Sequence, residues 1–440
     1  MIIVPSTLSV ISPRRALGAN NAAVTRTRLS LSRYAVLTGG GLALAVVQLA
    51  LMPRWLSAYQ FGLVVLAISA TQGVAQLGDL GLVRIAIDAS RSASERAALR
   101  RQGRALTLLI TTALGVAIAF LWPLIPAPQR PALVAVALGG LAAFMVVTDK
   151  YRAARQEVAG DEVGAAGLNF LWTNAPKIGL LVGLLVARSA TVVTLFSVVV
   201  GALLCAPRWP GYRSAWDALK RLRIWTVPFV AIAGSFVLTW SDTYFLSAHL
   251  GVSEAAGYEA LYRILGVSTY GFLPWVSVLT SRVSVRENRP VLVPLLLALG
   301  ATAVGLTGAT AFVKFFADSF FPHLALPLEA LPPLLAFYLL LPISYCLGSA
   351  LYVRARARAV TWATAASAAV ALTGHVVFTL RGGPVEAAAV AAAAMAVAVV
   401  AQAVTYLRSG DDDRLLPPEG GGLPAASGPG VTPDSLASGA

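Results

Sequence analysis

Charge is scarce in this sequence. Only 12% of the 440 residues are Asp, Glu, Lys or Arg, about half of what a soluble domain carries. Two cysteines, Cys205 and Cys346, each sit within an apolar run, so a disulfide framework is excluded and two buried thiols are expected. Three histidines, His249, His323 and His375, lack the spacing of metal ligands, and nothing calls for a cofactor. The excess of base, a net charge of +14, does not point to nucleic acid. The arginines lie in short segments between apolar runs, where they set orientation in a bilayer.

What remains is hydrophobic: 57% of the chain, in uncharged runs such as 34–52, long enough to cross a hydrocarbon layer of about 30 Å. About twelve spans follow, at 34–52, 61–83, 105–122, 132–148, 168–187, 190–207, 224–247, 254–279, 291–313, 331–352, 359–380 and 385–407. The three shortest breaks fall after Arg188, around Gly251 and at Gly382-Gly383. With the N-terminus inside, Arg54, Arg130, Arg188, Lys314 and Arg381 are outside, Lys177 and Arg263 lie within spans, and every other Lys and Arg is cytoplasmic. A wrong number of spans would scramble that asymmetry. The expected organisation is a basic cytoplasmic tail (1–33), a first lobe of helices 1–6 (34–207), a cytoplasmic linker (208–223), a second lobe of helices 7–12 (224–407) and a disordered cytoplasmic tail (408–440). Residues 1–33 lack a long apolar stretch behind their arginines, so the first span is read as an uncleaved anchor.

A weak repeat supports two halves. "LSAYQFGLVVLAIS" (56–69) and "LSAHLGVSEAAGYEALYRI" (246–264) each place Leu-Ser-Ala at the end of an odd span and a glycine near the start of the next. Transporters often carry such repeats with a site between them.

Five charges lie inside spans, clear of their first two residues: Asp79, Lys177, Asp242, Glu259 and Arg263. Each costs roughly 2.5–3.5 kcal/mol at mid-bilayer on an insertion scale, so each must be paired, close to an interface, or in a hydrated cavity. At about 100° per residue, Glu259, Tyr262, Arg263, Gly266 and Tyr270 share one stripe of the eighth span. Similar stripes hold Ser69, Gln72, Gln76 and Asp79 in the second span, Ser235, Thr239, Asp242 and Thr243 in the seventh, and Asn169, Thr173 and Lys177 in the fifth, where Asn174 stands apart. Lys177 and Arg263 are the deepest. A hydrated buried cation suits an anionic head group, and Arg offers a forked donor. Glu259 and Arg263, in i,i+4 order, read equally as a structural pair. Lys177 reads also as snorkelling or paired, Asp79 as a helix cap, Asp242 as an ion-coupling or interface group, and the fifth-span asparagines as interhelical glue.

Three stretches carry a family resemblance. "YQFGLVVLAISATQGVAQLGDLGL" resembles the second helix of polysaccharide flippases. "TWSDTYFLSAHLGVSEAAGYEALYRI" is similar to their seventh and eighth helices, and "LPPLLAFYLLLPISYCLGSALYVRARAR" to the tenth helix and basic inner turn. This family belongs to the superfamily that also holds multidrug and toxin extrusion transporters. The resemblance implies an all-α polytopic membrane protein with two six-helix lobes around a central cavity and both termini cytoplasmic. It implies alternating access that moves a lipid-linked (undecaprenyl-diphosphate) oligosaccharide across a bacterial inner membrane. Partners would be that glycan lipid, membrane lipids, and the glycan polymerase and glycosyltransferases of the same pathway. Arg263, Lys177, Tyr262, Tyr270, Asn174 and Gln76 would contact substrate, and Asp79, Asp242 and Glu259 would couple ions or gate. The alternatives are an ion-coupled drug antiporter of the same superfamily and a lipid II-type flippase. An enzyme is disfavoured, because the longest outer segment, "KFFADSFFPHLALPLEA", is short and Phe-rich.

Topology reporters fused at both ends should read cytoplasmic, and one inserted beside Arg381 should read outside. An external signal from either terminus would contradict the span count or the orientation.

Overall fold

The computed structural model describes residues 39–41, 43–77, 92–158, 162–205, 210, 212–220, 222–270, 292–353 and 356–415. Among them the chain is helical, without strands. Helix α1 covers residues 39–55, apart from 42. It is followed by α2 (Ala58–Leu77), α3 (Ala93–Leu121), α4 (Arg130–Val158), α5 (Glu162–Val186) and α6 (Ala190–Cys205). A short helix, α7 (Tyr212–Lys220), leads to α8 (Leu222–His249), α9 (Val252–Tyr270), α10 (Leu292–Phe320), α11 (Leu331–Val353), α12 (Ala357–Gly374) and α13 (Pro384–Leu415). Eight helical stretches among the described residues are long and apolar enough to cross a membrane. Helices α8 and α9, of 28 and 19 residues, also have the length and carry the polar positions. The chain is a multi-pass membrane protein.

Helix punctuation follows local chemistry. Ser92 caps α3: its hydroxyl accepts from the Glu95 amide while the Glu95 carboxylate accepts from the Ser92 amide, a reciprocal arrangement that satisfies two end donors. Gly251 separates α8 from α9 with φ +97°, a left-handed conformation that glycine adopts without a Cβ penalty. The expected breaks after Arg188 and at Gly382-Gly383 are present at 187–189 and 380–383.

The structure adds detail to three segments. The linker at 208–223 contains α7, whose Ala215 joins Leu99, Leu106 and Tyr151 in a small core while Trp216 stays exposed. Helix α13 runs on to Leu415 rather than stopping near 407. A π-helical turn, His375–Thr379, extends α12, with the buried His375 Nδ1 2.9 Å from Thr379 Oγ1. Cys205 and Cys346 are both buried and form no disulfide.

Within each half α5 packs on α4 and α6, α2 on α4, α12 on α8 and α13, and α11 on α13. Across the halves, α2 packs on α8 and α9. The two copies of the weak repeat therefore meet face to face. Their leucines, Leu56 and Leu246, are fully buried in one continuous core with Met52, Phe61, Leu261 and Tyr338. That core gathers the α1–α2, α5–α6, α8–α9 and α10–α11 connections, the end that the charge asymmetry assigns to the outside. Close approach there requires a small residue on α2. A Cβ added to Gly62 would lie 2.4 Å from the Val252 carbonyl oxygen.

Gly62→Leu should therefore push α2 off α9 and cost about 1–3 kcal/mol, lowering the melting temperature in detergent. Gly308→Leu on α10, where an added Cβ meets nothing within 4 Å, should not. Equal melting temperatures would contradict the tight α2–α9 contact.

Candidate functional site

The buried charges of the second half lie where α8 meets α9. Asp242 is 3% exposed and Glu259 1%. Asp242 Oδ1 accepts from the Thr243 amide at 2.8 Å, and Oδ2 from the Tyr258 hydroxyl at 2.8 Å. Glu259 Oε1 accepts from the Thr243 hydroxyl, and Oε2 from Arg263 Nε at 3.2 Å. The expected i,i+4 pair thus forms. The two carboxylates also lie within electrostatic range of each other. Each is held by donors from its own half, as burial of a carboxylate demands.

Arg263 is only partly occupied by this arrangement. Its side chain is 25% exposed and lies over the indole of Trp240, 5.6 Å from the ring centre, a cation–π placement. Its Nη2 is buried with no acceptor.

Lys177 comes from the other half. Its Nζ donates to Asn174 Oδ1 at 3.0 Å, one turn back on α5. Asn174 is itself fixed by donating from Nδ2 to the Phe170 carbonyl, 3.0 Å, and it packs close against Gly41 of α1. Gln48 of α1 donates to the Lys177 backbone carbonyl at 2.9 Å. Among the described residues no carboxylate lies within ion-pair reach of Lys177. Lys177 is half-buried as a residue, and its ammonium is surrounded by protein. Lys177 and Arg263 are within electrostatic range of each other across the two halves. At 1.5 Å per residue, Lys177 is about 14 Å from the Val186 end of α5 and Arg263 about 16 Å from the Val252 end of α9, half the thickness of a bilayer's hydrocarbon layer.

The remaining expected residues separate. Tyr262 is 5% exposed and packs among Tyr258, Phe337 and Tyr338, with ring centres 6.3, 5.9 and 5.3 Å away. Its carbonyl accepts from the Tyr338 hydroxyl at 2.6 Å. The ring belongs to the core of the second half, because its place on the flank of the Glu259 stripe turns it toward α11. Gln76 is half-buried at the end of α2 remote from the Gly62 contact. Tyr270 closes α9, but its side chain lies outside the described residues, as does all of Asp79. Sequence reasoning passed over Trp240 and Tyr258, because neither is charged and both aromatic types are common in apolar spans. Their signal was an N–H and an O–H in the interior of long helices, each needing a partner. Ser69 and Tyr244, whose hydroxyls lie 2.9 Å apart, bridge α2 and α8.

No protein-family model matches the chain, and no curated sequence matches it. Solved structures do. The chain is similar to the lipid II flippase MurJ in an inward closed conformation, with TM-score 0.63, 13% identity, and coverage of 87% of this chain and 90% of that one. It is similar to an outward-facing multidrug resistance MATE transporter of the MOP superfamily, with TM-score 0.51, 14% identity and coverage of 87% and 96%. A MOP-superfamily transporter from Pyrococcus furiosus, described by the reverse polarity of its binding pocket, matches with TM-score 0.51, 15% identity and coverage of 87% and 95%. At these identities the likeness is one of fold: the chain has the all-helical fold of MOP-superfamily transporters.

Proposed function

We propose that this protein is a non-enzymatic, alternating-access flippase that moves a diphosphate-linked oligosaccharide lipid across the bacterial inner membrane, its two six-helix lobes enclosing the path. The observation that carries this reading is the unequal treatment of the buried charges. Asp242 and Glu259 are saturated by neighbours in their own half. Lys177 holds only a neutral amide, and Arg263 keeps one arm unfilled. The two cations come from opposite lobes. An anion between them would satisfy both at once and screen their mutual repulsion, drawing the lobes together. A diphosphate has the charge and the acceptor oxygens for this, and the guanidinium fork matches phosphate geometry. Asn174 orients the lysine. Asp242 and Glu259 then hold Arg263 and the α8–α9 contact in place, with ion coupling as their further role.

The second reading is an ion-coupled drug antiporter. It draws on the same two carboxylates, buried close together with hydroxyl neighbours, as sites for a proton or metal cation.

In proteoliposomes carrying a fluorescent undecaprenyl-diphosphate oligosaccharide, Lys177→Ala and Arg263→Ala should each slow translocation roughly tenfold or more, the loss expected for a charge-assisted hydrogen bond, at unchanged reconstitution. Arg263→Lys should recover only part of the rate. Wild-type rates in both alanine variants would overturn the flippase reading. Cation-driven efflux of a drug, lost in Asp242→Asn and Glu259→Gln without any glycan-lipid transport by the parent protein, would establish the antiporter instead.

A further inference from the structure

Trp240 is 5% exposed, and its indole Nε1 is buried without an acceptor. Arg263, from the neighbouring helix, lies over the face of the same indole and also buries an N–H without an acceptor, at Nη2. Both unsatisfied donors therefore belong to one stacked pair at the α8–α9 contact. Neither group has an alternative role. An indole N–H only donates, and a guanidinium neither accepts nor loses its proton. Unlike a hydroxyl, neither can rotate to use a lone pair. A buried donor left unsatisfied is destabilising, and Phe at position 240 would have given Arg263 an aromatic face without that penalty.

We propose that Trp240 Nε1 and Arg263 Nη2 are a donor pair for a phosphate oxygen of a diphosphate-bearing lipid, which makes Trp240 a substrate-binding residue. The inference rests on the flippase reading and adds a residue and a coupling device to it. The indole serves twice. Its face supports the guanidinium, and its edge supplies a neutral N–H in the ring plane. Because both donors are buried, closing without cargo leaves them unsatisfied, whereas closing on a phosphate fills them. Substrate thus favours the closed form by its differential contacts with it, and futile closure is disfavoured.

The test is binding to the full-length protein in nanodiscs, followed by ligand-induced thermal shift. The probes are undecaprenyl diphosphate, undecaprenyl monophosphate and inorganic pyrophosphate. Trp240→Phe should bind undecaprenyl diphosphate about tenfold more weakly, while its ligand-free melting temperature is no lower than that of the parent, since an orphan donor has been removed. Trp240→Leu should bind more weakly still, because Arg263 loses its platform. If Trp240→Phe does not fold, β-(3-benzothienyl)alanine at position 240, which exchanges the N–H for sulfur within the same outline, makes the same comparison. Binding of pyrophosphate that also weakens in Trp240→Phe would place the interaction on the head group. Binding of the diphosphate lipid alone, weakened in the same way, would assign it to the lipid-linked form. Parental affinity for all three probes in the Phe or benzothienyl variant overturns the proposal. If Lys177→Ala and Arg263→Ala are nevertheless weakened, the flippase reading survives that failure. If they too bind normally, both fall.

Discussion

A charge taken into the middle of a bilayer must find compensation, because the hydrocarbon supplies none. That constraint organises this molecule. The carboxylates Asp242 and Glu259 are answered at once by Thr243, Tyr258 and Arg263, all on the two helices that carry them. The cations are answered incompletely. Lys177 has an amide oxygen and Arg263 one carboxylate, and both retain accessible surface in the protein interior. A count of charges alone makes the region nearly neutral. A count of satisfied hydrogen-bonding groups leaves cationic donors in excess.

The scaffold brings these cations together by repeating one device. In each half a Leu-Ser-Ala turn leads into a helix, α2 or α9, and the two helices pack against each other through Gly62 and Val252. The core built around Leu56 and Leu246 joins the halves at the end assigned to the outside. The cations lie below that join. Helix α5 delivers Lys177 from one side, braced by Gln48 and Asn174, and α9 delivers Arg263 from the other. Among the described residues, contacts between helices of the two halves run through α2, α8 and α9.

Much of this architecture was legible in the residues. Apolar runs locate the helices because crossing a bilayer needs about twenty apolar residues whatever the fold. Gly251 and the Gly382-Gly383 pair mark breaks because their backbones are unlike those of a helix. The i,i+4 geometry of Glu259 and Arg263 pairs them within one helix, independent of packing. What escaped depended on tertiary neighbours. Tyr262 shares a stripe with Arg263 in projection, but α11 packs over its flank and takes the ring into the core. Helix α7 is too short and too polar to register as a span, and it owes its place to packing on α3. For Trp240 the sequence supplies an interior N–H that needs a partner, and only the packed structure shows that it lacks one.

The central claim is that Lys177 and Arg263 face one shared aqueous space between the halves. It is tested most directly by single cysteines at these two positions, in a background with Cys205 and Cys346 replaced by alanine. They would be probed in inside-out membrane vesicles with a charged, membrane-impermeant thiol reagent. The account predicts that both positions react and that undecaprenyl diphosphate protects both. Reaction only with a lipid-soluble maleimide, or protection of neither site, would contradict it.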